Sequence, residues 1–215
     1  MAATSAAMTN SKYGVAGAAG LALILTVASA SAQEATRLRG TIEKVDGNTL
    51  SIKSPTGAPV TLTLTPNAAV VGVLKASIAD IKEGSCIGSG AMPQPDGTQK
   101  AVEVHIFAES QRGTGDGHRD GWDGSPYGAS VGTMTNGAVG QAVSSVDGPV
   151  ITVKYKDGEK KIVVTPNVPI VRYEVGDKSE LKPGAAVAVA AATKKPDGTF
   201  EAARINVGRN GVVPN

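Results

Sequence analysis

The chain has 215 residues, with 21 Lys and Arg against 19 Asp and Glu, and only 3% of its residues are aromatic. So even a charge balance offers no built-in attraction for a polyanion, and nucleic acid is not an expected partner. Its single cysteine, Cys86, excludes an internal disulfide, and cores must be assembled from Val, Ile, Leu and Ala, of which the β-branched pair favours strands.

At the N-terminus, Lys12 precedes an uncharged run from Tyr13 to Val27, and Ala30-Ser31-Ala32 has the small-x-small form that signal peptidase accepts. This predicts a signal peptide over residues 1–32, Gln33 as the first mature residue, and a periplasmic or secreted destination. An uncleaved anchor is the competing reading. The run is shorter than the roughly 20 apolar residues of a membrane-crossing helix and is broken by glycines. No later stretch is long and apolar enough to cross, so the mature chain is expected to carry no transmembrane span.

Two β modules, 37–109 and 137–211, are expected to follow, joined by a Gly-rich linker over 110–136. Residues 41–53 match 142–154, Thr65-Pro66-Asn67 matches Thr165-Pro166-Asn167, and Pro95-Asp96-Gly97-Thr98 matches Pro196-Asp197-Gly198-Thr199. Ordered internal similarity of this kind is the mark of a repeated structural unit.

Period-2 alternation predicts half-buried strands. In the last strand of the first module Val102, Val104 and Ile106 are expected to face the core while Glu103 and His105 face outward. In the second, Ala203, Ile205 and Val207 oppose Arg204 and Asn206. Asp-Gly pairs at 46, 96, 147, 157 and 197 supply the turns, and the short segments Ser77–Lys82 and Ser179–Lys182 hold about one helical or 3₁₀ turn. Each module then has about six short strands. The fold class expected is all-β: two tandem small antiparallel barrels of OB-like form, which hide their edges by closing. A two-sheet sandwich shared by the copies is the alternative, because a unit of about 70 residues has a marginal core by itself.

Gly40-Thr-Ile-Glu-Lys-Val-Asp-Gly47, Ile81-Lys-Glu-Gly84, Pro95-Asp-Gly-Thr98 and the Ala101–Ile106 strand together resemble the exported bacterial modules known as domain of unknown function 5666. The resemblance covers 37–109 and 137–209. In the second copy the matching glycine is taken as Gly140, one residue further from the Asp-Gly. Those motifs are turn and core positions, so the resemblance implies a fold and no catalytic residue.

For chemistry, Asp116, His118, Asp120 and Asp123 in the linker form a candidate divalent-metal set, since imidazole and carboxylate suit such ions. Their spacing is not that of a calcium loop. A spacer that makes turns, with Trp122 or Tyr127 as its only anchor, is the plainer reading, and it predicts an irregular connection. His105 is read as a surface histidine and Cys86 as a small packed residue. Lys154, Lys156, Lys160 and Lys161 crowd one hairpin, as on a solvated edge. No nucleophile has a positioned base in the sequence, and Gly115-Asp-Gly117 lacks the third glycine of a dinucleotide fingerprint. The expectation is therefore a non-enzymatic binding or scaffolding protein of the bacterial envelope, with an envelope protein or polymer as partner and no cofactor. A metal-handling accessory protein using the linker is the alternative.

Overall fold

The computed structural model describes residues 35–122, 132–143 and 148–214. The expected signal peptide, Asp123 and Tyr127 lie outside the described residues. Strands account for most of the rest: β1 Ala35–Asp46, β2 Thr49–Lys53, β3 Pro59–Ala76, β4 Cys86–Pro93, β5 Gln99–Ile106, β6 Gly117–Trp122, β7 Gly132–Val143, β8 Val150–Tyr155, β9 Gly158–Val163, β10 Ile170–Val175, β11 Ala186–Lys194 and β12 Phe200–Gly208. Three 3₁₀ turns, Ile78–Asp80, Glu109–Gln111 and Lys178–Glu180, are the only helical pieces among the described residues. None is long and apolar enough to cross a membrane.

The Asp-Gly turns at 96 and 197 form as their chemistry requires; Asp147 lies outside the described residues. Asp96 Oδ1 accepts hydrogen bonds from the Thr98 backbone N–H (2.9 Å) and hydroxyl (2.7 Å), and Asp197 does the same with Thr199 at the same distances. The glycine between each pair takes a positive φ, +83° at Gly97 and +85° at Gly198, a conformation without steric cost only for glycine.

Pairing closes one five-stranded mixed barrel. β1–β2, β2–β3, β1–β11 and β11–β12 run antiparallel, and β12 returns parallel to β3. The barrel encloses Ile42, Leu50, Ile52, Leu62, Val187 and Ile205, all at most 1% exposed. Three of its strands come from the first half of the sequence and two from the second. A second core holds Ile87 and Val104 from β4 and β5 together with Ile151, Val153 and Ile162 from β8 and β9. There β4 pairs with β5 and β7, and β7 with β8, in antiparallel fashion. β10 bridges the two cores, antiparallel to β3 and parallel to β5.

Each core is thus built from both halves of the chain, and the boundary between 37–109 and 137–211 does not separate them. Reciprocal backbone hydrogen bonds fix the arrangement. Gly84 N–H donates to Val139 O and Val139 N–H to Ser85 O, while Gly184 N–H donates to Ile42 O and Ile42 N–H to Ala185 O, at 2.8–2.9 Å. Sharing offsets the weakness of a lone short module, whose apolar surface is small for its length.

Three sequence expectations shift in register. Thr41 pairs with Lys53 as Ala138 pairs with Lys154, so the position corresponding to Gly40 is Gly137, not Gly140, and Thr41 corresponds to Ala138 instead of Ala142. A Cβ at Gly40 would collide with Lys53 O, and one at Gly137 with Lys154 O. The shared Val-Asp-Gly misleads because the β1–β2 turn is Gly47-Asn48 while 144–149 separate the last β7–β8 pair. Second, Thr65-Pro66-Asn67 lies inside β3, where the ladder to β12 skips from Leu64 to Ala69; Pro66 cannot donate to it. Third, β12 shifts register between Ala202 and Arg204, so Ala202, not Ala203, joins Ile205 and Val207 in the core, and likewise in β5 Ala101, not Val102, joins Val104 and Ile106.

Candidate functional site

The connection between the halves is more regular than a spacer of glycines and acids suggests. β6 pairs antiparallel with β7, from Gly117 opposite Asn136 to Trp122 opposite Gly132. Backbone hydrogen bonds to a waiting strand edge supply the order that aliphatic side chains do not. Trp122 is the anchor, 9% exposed, and it fits because Gly90 beneath it has no Cβ.

On β6, His118 Nδ1 lies 2.8 Å from the Thr135 hydroxyl, and its ring stacks on Tyr155 at 6.3 Å. Nε2 is 3.7 Å from Asp120 Oδ1, whose side chain is almost fully exposed. Burial chiefly, and Lys160 next, lower the His118 pKa from its ordinary value against the opposing pull of Asp120. Of the candidate set Asp116, His118, Asp120 and Asp123, the structure pairs His118 with Asp120. Among the described residues no three His, Cys, Asp or Glu side chains gather as a metal site.

A different set of side chains converges in a groove of about 400 Å³ between the outer faces of the two cores. β1 contributes Arg37 and Arg39, β12 Arg204 and Asn206, β5 Glu103 and His105, and β7 Met134 and Asn136. Tyr173 on β10 stands among them, and Ala188–Ala191 of β11 form a smooth apolar wall. Arg39 lies across from Ala188 in the ladder, as Asn136 lies across from Gly88. The two sides are therefore built alike but differ in charge.

His105 and Glu103 correct the expectation of a solvent-facing pair. The Glu103 residue is 3% exposed, and its Oε1 lies 3.2 Å from His105 Nε2, on a side chain itself only 13% exposed. The reason is tertiary: the outer face of β5 is covered by Tyr173, whose ring stacks on His105 at 5.0 Å and meets Phe107 at 5.7 Å. The Arg204 guanidinium sits 5.9 Å over the same ring. Burial first, then Glu103, raises the Tyr173 pKa well above the usual phenol range, so the hydroxyl keeps its proton.

Two buried oxygens at this groove, Asn136 Oδ1 and Asn206 Oδ1, have no hydrogen-bond partner among the described residues. Native proteins rarely leave such groups unmatched. Ser89, also buried, spends its hydroxyl on Glu103 O at 3.1 Å, and Cys86 is packed at 7% exposure, as its expected role requires. The groove offers charge and hydrogen bonding, which suit holding a ligand.

The sequence holds one signal of this site: polar residues recur at alternate positions on the outer faces of both closing strands, Glu103 and His105 in one, Arg204 and Asn206 in the other. Alternation separates two faces of a strand but does not say whether the outer one meets water or a neighbouring strand. Comparison with family models, with curated proteins and with solved structures gives no match.

Proposed function

We propose that this chain is an exported, non-enzymatic binding protein of the bacterial envelope, made of two copies of a module similar to domain of unknown function 5666, whose ligand site is the groove between the cores. The observation that carries this reading is the convergence of three arginines, two asparagines and Tyr173 on one concave surface drawn from both halves of the chain. Concave sites with a few convergent polar groups on an apolar wall are where small ligands are usually held. Export rests on the run before Ala32 and its cleavage motif. Intact mass of the secreted protein should begin at Gln33; retention of residues 1–32 would contradict export with cleavage.

Binding is tested by thermal stabilisation of the mature protein against a panel of sugars, sugar acids, amino acids, phosphates and short peptides. The exposed Ala190 lines the groove, so Ala190→Trp fills it without entering either core. The reading expects at least one compound to raise Tm, and the rise to vanish in Ala190→Trp. Stabilisation that persists in the filled variant would place the site elsewhere.

The metal-handling alternative is supported by one feature, the His118–Asp120 pair. Calorimetric titration with Zn²⁺ and Cu²⁺ decides it: tight one-to-one binding lost in His118→Ala would favour that alternative.

A further inference from the structure

We infer that the outer edge of β1 over residues 35–39 is a docking edge for an extended acidic segment of a partner protein, which joins the sheet there as an added strand. This goes beyond the groove and does not depend on what the groove holds.

The observation is a difference between the two halves. Gly40 and Gly137 occupy equivalent places, each pressed against a lysine carbonyl, Lys53 O and Lys154 O, so 35–39 of β1 correspond to 132–136 of β7. On one side β1 pairs with β11 as β7 pairs with β4. On the other, β7 is covered by β6 up to Asn136 and by β8 from Ala138 onward. β1 is covered by β2 from Thr41 onward, and no described strand pairs with that side of 35–39. Burial follows the pairing. Thr133 and Thr135 are at most 2% exposed, whereas their counterparts Thr36 and Leu38 are half-buried and Arg37 is exposed.

The open edge has backbone groups to offer. Ile42 turns its N–H and C=O to the β11 side, where they meet Ala185 O and Gly184 N–H. Backbone groups alternate between the two edges along a strand. Those of Gly40 and Leu38 therefore also face β11, and the N–H and C=O of Arg37 face the open edge. An extended peptide gains main-chain hydrogen bonds by adding to such an edge. β6 on β7 is the same arrangement made within the chain.

Side chains choose the occupant. Arg37 lines the groove face and makes no ion pair among the described residues. Leu38, on the opposite face, packs against the barrel core. An incoming strand thus meets a cation on one face and apolar surface on the other. Alternation of Glu with Val satisfies both, since opposite charges directly across a ladder attract. The exposed Lys53, at the end of β2 where the open edge begins, adds to the positive charge. A second copy does not fit. An antiparallel β1–β1 pair centred on Leu38 sets Arg37 against Arg39, and one centred on Arg37 sets that residue against itself, like charges in either case. Nor does the chain before β1 fit once the signal peptide is cleaved, since Gln33 and Glu34 alone then precede Ala35, whereas β6 reaches β7 through residues 123–131.

Fluorescence anisotropy of the labelled peptide Ser-Glu-Val-Glu-Val-Glu-Ser with the mature protein tests this. The expected result is saturable binding, about tenfold tighter than that of the same peptide with Lys for each Glu, and about tenfold weaker in Arg37→Glu. Arg37→Gln and Arg37→Pro remove the same charge, but only proline removes the edge N–H, a loss that an edge strand tolerates. The proline variant should keep the Tm of the glutamine variant and bind more weakly still. A readout on the unaltered protein stands beside it, in case proline unfolds the strand. N-methylation of the peptide's central Glu, whose N–H faces Arg37 O, should abolish binding, while N-methylation of a Val, whose N–H points away, should spare it. Binding should persist in Ala190→Trp, because that residue lies on β11, across the other edge of β1. Absence of saturable binding, equal binding of the Glu and Lys peptides, indifference to N-methylation or loss in Ala190→Trp would each overturn the inference. So would a dimer of the mature protein that Arg37→Pro separates, since a second copy would then hold the edge.

Discussion

Arg209 ties three pieces of chain together just beyond β12. Its Nε and Nη2 donate to the Glu180 carboxylate at 2.7 and 2.8 Å, Nη1 reaches Glu174 at 2.8 Å, and Nη2 also meets Val175 O at 3.1 Å. The pairs are partly exposed, so solvent screening keeps their worth modest: Arg209→Met should cost about 1 kcal/mol, read by denaturant unfolding at low salt. Its hydrogen bond holds the Glu180 carboxyl below its ordinary value, against a smaller opposing effect of burial. A carboxyl lowered in the folded state contributes stability that is complete above its unfolded pKa and is lost as pH falls through the folded one. Acid sensitivity below the ordinary glutamate range should therefore shrink in Glu180→Gln. His118 works at higher pH with the same sign. Its lowered pKa means the unfolded chain takes the proton more readily, so stability should decline as pH falls through the histidine range, from about 7 to about 5. His118→Gln should flatten that decline, measured as Tm against pH; an equal slope in both proteins would contradict the assignment. At this scale the sequence shows which residues are polar and in what alternation. It does not show that Glu103 and His105 are covered, because covering comes from Tyr173, distant along the chain.

Among the strands, β6 pairs with a single neighbour, β7. Its hold on the molecule is the ladder to β7, the indole of Trp122 over Gly90, and the contacts of His118 with Thr135 and Tyr155. Trp122→Ala should cost about 3 kcal/mol if the strand opens only locally, and it should expose the Arg119 peptide bond to trypsin while β1–β5 stay protected. Unchanged protection at Arg119 would mean that the ladder and the His118 contacts hold the strand without the indole. Most strands of the two modules and the 3₁₀ turns at 78–80 and 178–180 were readable from the sequence because their signals are local, alternation, Asp-Gly and a polar cap, whereas β6 and the turn at 109–111 were not. Ser77 N–H donates to Asp80, and Asp177 N–H to Glu180, both at 2.8 Å. The register of β7 was not readable, because Val146-Asp147-Gly148 repeats Val45-Asp46-Gly47 in letters, while the last β7–β8 pair, Val143 with Val150, is further apart along the chain than the last β1–β2 pair, Asp46 with Thr49. The lack of a Cβ at Gly137 would have been the better guide.

For the whole molecule, the consequence of shared cores is cooperativity. β10 joins both cores through β3 and β5, so a cavity in either should lower one common transition. Ile205→Ala in the barrel and Ile151→Ala in the second core should each cost about 2–5 kcal/mol and leave a single calorimetric peak; two resolved peaks would mean independent units. Sequence similarity within the chain could not reveal this arrangement, since β1–β3 carry the same alternation whether they close with β4 and β5 or with β11 and β12. The choice is made by long-range contacts such as Gly84 to Val139 and Gly184 to Ile42.

The groove exists because those halves interlock, and one measurement tests the interlocking directly. A protease sequence inserted at the exposed turn residue Gly113 allows the mature protein to be cut between β5 and β6 after folding, followed by size-exclusion chromatography in native buffer. The account predicts that both fragments elute together at the size of the intact chain, keep its strand-rich circular dichroism, and part only in denaturant. Two fragments eluting separately, each folded, would contradict it.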